Sequence, residues 1–197
     1  MRSSPLMIVD TTLGIGPPMP FASVLPQTAL LQQVETNLKN NQLLTFSECH
    51  NVGDPEVING TSYDHRFPAT NILSLEEEKK GNFWLAKHQS RDGQGFTLDL
   101  KCSRKVSIVF LKNTHNFKSR DRATKRFELQ GRRSTSDSWV VMMDKELEDS
   151  RSQNPPPVLF LPLNQTQVVR FIRFKLKDYW GKGGGLQYFG VKTGTII

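Results

Sequence analysis

The stretch "VVRFIRFKLKD" (168–178) sets Ile172, Phe174 and Leu176 in strict alternation with Arg173, Lys175 and Lys177. A period of two puts the apolar side chains on one face of a strand and the cations on the other. A helix would scatter both sets around its axis. A strand with one apolar face needs a second layer to cover it. The pattern recurs upstream. In "GFTLDLK" (95–101) Phe96, Leu98 and Leu100 share a face, and in "KVSIVFLK" (105–112) Val106, Ile108 and Phe110 do. "RFELQGR", "SWVVMM", "VLFLPL" and "LQYFGVK" complete the set, separated by turn residues and with little helical periodicity. Short strands at roughly 10–20-residue spacing predict an all-β protein, an antiparallel β-sandwich or jelly roll.

The β pattern begins near residue 42. Before it, up to Gln33, the only charged residues are Arg2 and Asp10, and prolines 5, 17, 18, 20 and 26 interrupt the chain. Residues 1–41 therefore read as a flexible tail with a short helix around Leu30, Leu31 and Val34, and 42–197 as the domain. The N-terminus has no signal-peptide core, which points to an intracellular protein or to an isolated module. No apolar run reaches the ~18 residues of a membrane-spanning helix.

The formal net charge is +7. That admits nucleic acid, anionic lipid or acidic glycan as partners without selecting one. Residues 101–133 carry eleven Lys/Arg against Asp121 and Glu128, and Arg132 and Arg133 with the 173/175/177 face could form a basic patch. A solvated basic face explains the same residues, and nucleic acid is the least favoured partner. The cysteines are Cys49 and Cys102. They fit one disulfide or two free thiols, and no CxxC or Cys/His cluster offers a zinc site. Asn59-Gly60-Thr61 and Asn164-Gln165-Thr166 are glycosylation triplets of a kind that chance also produces. No GxSxG, HExxH or phosphate-binding loop occurs, so no catalytic activity is expected. "GKGGG" (181–185) is followed by a strand, not by the helix a phosphate cradle needs. These glycines are expected to supply positive φ angles in the last connection.

The order of motifs resembles the discoidin domain, or factor V/VIII type C domain, of the galactose-binding-like fold. "YDHRFPATNILSLEEEKKGNFWLA" is similar to its opening loop and following tryptophan, and "GFTLDLKCSRKVSIVFLKNTHN" to its first strand pair. "NTHNFKSRDRATKRFELQGRRSTSDSW" and "VRFIRFKLKDYWGKGGGLQYFGV" are similar to the elements that follow and close the domain. The likeness covers roughly 45–193. The terminal disulfide common in the family cannot form, since no cysteine follows Cys102.

The resemblance implies an antiparallel jelly-roll β-sandwich of about eight strands, a non-catalytic, monomeric binding module whose loops at one barrel end take a glycan or glycoprotein. An acidic protein partner and an anionic lipid surface are the alternatives, and the cellular compartment stays open. Sugar binding needs an aromatic face and planar hydrogen-bonding groups. The loops offer Tyr63, His65 and Arg66; His88 and Arg91; His115, Arg120 and Arg122; and Trp180. Trp180 could equally pack the barrel end, and His115 could stabilise a turn. Phe67 and Phe117, beside Arg66 and Lys118, are the candidate lipid-inserting residues. Asn71, Ser74 and Glu76 supply hard oxygen ligands where some relatives hold a cation, a structural Ca2+ site without a tight aspartate cluster.

Overall fold

The computed structural model describes residues 54–62, 65–74, 81–86, 94–116 and 119–194. Among them are seven strands: β1 (Glu56–Gly60), β2 (Trp84–Leu85), β3 (Gly95–Asn113), β4 (Arg122–Arg132), β5 (Val140–Glu146), β6 (Val158–Gly181) and β7 (Gly185–Gly194). The one helical element described is a 3-10 turn at Ala69–Leu73. Every strand pairing is antiparallel, in the order β2-β7-β3-β6-β4-β5 with β1 on β3. Among the described residues no helix is long and apolar enough to cross a membrane.

The two long strands each serve both layers. The first part of β3, Gly95 to Asp99, pairs with β1 and with Phe171–Lys175 of β6. The second part, from Arg104, pairs with the start of β6 and with β7. The register breaks between Asp99 and Arg104, where Lys101 takes φ 67 and its N–H donates to Asp99 Oδ1 at 2.7 Å. One layer is thus β1-β3-β6-β4-β5 and the other β2-β7-β3-β6. The sequence stretches read as separate strands at 95–101 and 105–112 are one bent strand, as are 158–163 and 168–178. The seven stretches read as strands thus become five, and β1 and β2, which were not among them, bring the described strands to seven where about eight were expected.

The alternation in β6 reads true. Ile172, Phe174 and Leu176 are buried, while Arg173, Lys175 and Lys177 are partly exposed. In β3 the expected face of Val106, Ile108 and Phe110 is not formed. A register shift between Val106 and Ile108 changes the phase, so Val106, Val109 and Leu111 enter the core. Phe110 instead meets Phe160 edge-on at 5.2 Å. Between the layers, Phe174 stacks on Phe96 and Phe127 at 5.1 and 5.0 Å and meets Trp84 and Phe189 edge-on. Cys102 is disulfide-bonded, and the chain's other cysteine, Cys49, falls outside the described residues.

Candidate functional site

Backbone hydrogen bonds gather four segments at one end of the sandwich. Leu85 N–H donates to Phe67 O at 3.4 Å, and Ala86 N–H to Gly184 O at 3.0 Å. Ala123 N–H donates to Gly183 O at 3.1 Å, and Lys182 N–H to Asp121 O at 2.7 Å. The glycine run is the hub of this contact. It forms the β6–β7 connection as expected, but only Gly181 of the run takes a positive φ, +73°. Gly184 and Gly185 are glycines because neighbours leave no room. A Cβ on Gly184 would lie 2.5 Å from Leu176, and one on Gly185 would lie 2.4 Å from the Trp84 carbonyl oxygen. The requirement is close approach rather than backbone handedness.

Beneath these loops lies a buried polar knot. Asn113 Nδ2 donates to the Thr124 carbonyl at 3.2 Å and to Ser150 Oγ at 3.3 Å, and its Oδ1 accepts from Thr124 N–H at 3.0 Å. Thr124 Oγ1 donates to Gly185 O at 3.0 Å. His115, 3% exposed, sets Nε2 2.8 Å from the Ser150 carbonyl, which requires the proton on that nitrogen. Arg122 is also buried, under Gly183. Sequence reasoning placed His115 and Arg122 among ligand contacts; the structure buries both, and His115 holds the Ser150 carbonyl. Residue type alone does not separate a strut from a contact.

The remaining candidates divide. His65, Arg66 and Arg120 are exposed, and Arg120 sits at φ 49 in the turn that Asn116 and Asp121 close by a 2.8 Å side-chain hydrogen bond. Trp180 is half-buried; its Nε1–H donates to Leu147 O at 3.3 Å and Lys125 Nζ lies 4.8 Å from its ring. Tyr63, His88, Arg91, Glu76 and Phe117 lie outside the described residues. Phe67 is no lipid-facing spike, for it stacks on buried Phe83 at 5.2 Å. Asn71 Nδ2 donates to the Gly81 and Phe83 carbonyls, tying its loop together, and Ser74 caps the 3-10 turn. Among the described residues no three His, Cys, Asp or Glu side chains group around a metal position.

Sequence reasoning missed a second feature, a cleft of about 200 Å³ whose lining includes Asn59, Thr61, Gln94, Thr97, Arg173 and Lys175. Thr61 shapes it, accepting from Gly95 N–H at Oγ1 (3.0 Å) and donating its own N–H to Gly95 O (2.9 Å). On the outer face of the layer, register sets Asn59, Thr97, Arg173 and Gln130 in one row across β1, β3, β6 and β4. The Arg173 and Arg132 guanidinium carbons lie 4.0 and 4.4 Å from the Trp139 ring centre. Burial, and then the neighbouring Arg132 charge, hold the Arg173 pKa below its ordinary value. Only the basic half of this arrangement, residues 132 and 173/175/177, was legible as charge.

No family model matches the sequence, and no curated protein matches it. Solved structures do match. The family 32 carbohydrate-binding module of Clostridium perfringens NanJ, solved with galactose, superposes with TM-score 0.53 at 13% identity, over 70% of this chain and 98% of that one. The fold is a galactose-binding-like β-sandwich. Paired family 32 modules of Clostridium perfringens ZmpB, in complex with GalNAc, give TM-score 0.57 at 13% identity over 74% of this chain and 35% of theirs. Allantoicase gives TM-score 0.52 at 12% identity over 71% of this chain and 40% of its own.

Proposed function

We propose that this chain is a non-catalytic recognition module that binds a carbohydrate at its loop end. The observation that supports the reading best is the match to nearly the full length of a module solved with galactose. Within the fold, the order of motifs in 45–193 supports a discoidin-type module, with its domain beginning near residue 42. The exposed donors His65, Arg66 and Arg120 are assigned to sugar hydroxyls. Tyr63, His88 and Arg91 join them on their chemistry alone, with Trp180 at the rim. The partner is then a glycan or glycoprotein, met by a single copy of the chain.

A glycan array followed by titration calorimetry on the full chain tests this. The expected result is binding to a defined neutral sugar that survives 500 mM salt and is competed by the monosaccharide. His65→Ala and Arg120→Ala should each weaken it about fivefold, the loss of roughly one hydrogen bond, without lowering Tm. A folded protein silent toward every sugar overturns the reading and turns the search to acidic proteins and anionic lipids.

A further inference from the structure

We propose that the cleft between β1, β3 and β6 is a second binding site, one that takes the carboxylate or sulfate ester of an acidic saccharide. The saccharide part rests on the function proposed above, whereas the anion part rests on the cleft alone. Gln94 carries the argument. It lines the cleft, is 3% exposed, and neither its Oε1 nor its Nε2 has a hydrogen-bond partner among the described residues. A buried carboxamide with both ends unpaired is costly, and native proteins rarely keep one without a use. A carboxamide presents a donor and an acceptor, the complement of a sugar hydroxyl.

Arg173 supplies the charge. The carboxylates near it are engaged elsewhere: Asp99 is held by both ends of the Arg170 guanidinium at 2.9 and 3.0 Å. Glu128 is shared between Lys175 and Lys177 at 3.5 and 3.4 Å. Arg173 is left beside Arg132 on a shared indole, with no ion pair among the described residues. Next to it, Gln130 Oε1 and Arg132 Nε are buried without hydrogen-bond partners among the described residues. An oxyanion arriving at this row meets a planar fork whose geometry matches it. The volume, about 200 Å³, falls below the ~300–1,000 Å³ of pockets for drug-sized ligands, so the site suits one small charged group. Neutral amides and a threonine beside a single arginine fork favour a sugar acid. A nucleic acid would want a cationic track with free aromatic faces, and Trp139 already carries two guanidiniums.

Calorimetry on the full chain with galactose, galacturonate and galactose 6-sulfate compares one ring with and without the anion. The two charged sugars should bind at least fivefold tighter than galactose. Arg173→Gln should erase that excess, a loss of about fivefold or more, while leaving galactose unaffected. Gln94→Leu should weaken the charged sugars severalfold yet raise Tm, because it removes the unpaired amide. A structural role would lower Tm instead. Lys145→Gln, an equal charge loss on exposed β5, should change nothing. Galactose binding with no preference for the charged sugars overturns this inference and leaves the loop-end reading standing. Tight binding of charged sugars without galactose binding does the reverse. Equal losses in Lys145→Gln and Arg173→Gln, or equal competition by a DNA oligonucleotide, also overturn it. Should Arg173→Gln fail to fold, Gln94→Leu decides alone.

Discussion

Phe174→Ala tests whether the two layers are held together by one aromatic cluster. The ring is fully buried, stacks on Phe96 and Phe127, and meets Trp84 and Phe189 edge-on. Truncating a buried phenylalanine costs about 3–5 kcal/mol, through lost transfer energy and the cavity left behind. Four aromatic neighbours place this site at the upper end, because rings in fixed contact cannot easily collapse into the gap. A loss of about 4–5 kcal/mol at roughly 2–4 °C per kcal/mol lowers Tm by about 8–20 °C in a domain of this size. Phe160→Ala is the control. Phe160 is half-buried and has one ring contact among the described residues, with Phe110, so about 1–2 kcal/mol is expected. Urea and thermal denaturation of the three proteins, followed by circular dichroism, give the comparison. If Phe174→Ala costs no more than Phe160→Ala, the aromatic cluster does not hold the layers together.

Three further outcomes follow from the structure. Gly185→Ala drives a Cβ toward the Trp84 carbonyl oxygen, 2.4 Å away, and should destabilise by about 1–3 kcal/mol; an unchanged denaturation midpoint would contradict the close-approach account. His115→Ala removes a buried partner of the Ser150 carbonyl and should cost about 1–3 kcal/mol while sparing sugar affinity; loss of affinity at unchanged stability would return His115 to the ligand contacts. Burial pushes the Asp99 carboxyl up, but hydrogen bonds from Arg170 and from Lys101 N–H outweigh it and hold its pKa below the ordinary value. The unfolded chain therefore takes up this proton first as pH falls, so the stabilisation is whole above about pH 4 and is lost on further acidification. Asp99→Asn should flatten the stability curve in that window, and identical acid slopes for variant and wild type would refute the assignment.

The sequence made the fold legible wherever side chains alternated without interruption. Ile172, Phe174 and Leu176 could be assigned inward from period two alone, and the structure agrees. Val106, Ile108 and Phe110 could not, because a register shift leaves no mark in composition. The glycine run was correctly a connection, yet the reason for two of its glycines lies in Leu176, on the preceding strand, and in Trp84, distant in sequence. The candidate site was legible as loops rich in His and Arg. Which of those side chains point outward depends on partners such as Ser150, 35 residues from His115. Gln94, one of many glutamines in the sequence, became informative only once its isolation in the cleft was visible.

The bends in β3 and β6 bear on how the domain comes apart. Because the same two strands run through both layers, neither layer can detach without breaking hydrogen bonds in the other. Pairings such as Gly95 with Lys175 and Lys105 with Gly194 join residues far apart in the chain, so folding must close long loops before the reward of pairing arrives. Amide protons on either side of the Lys101 corner should therefore exchange with solvent at one common rate, set by whole-domain opening. A pull applied at the cleft edge would be carried along β3 into the opposite layer.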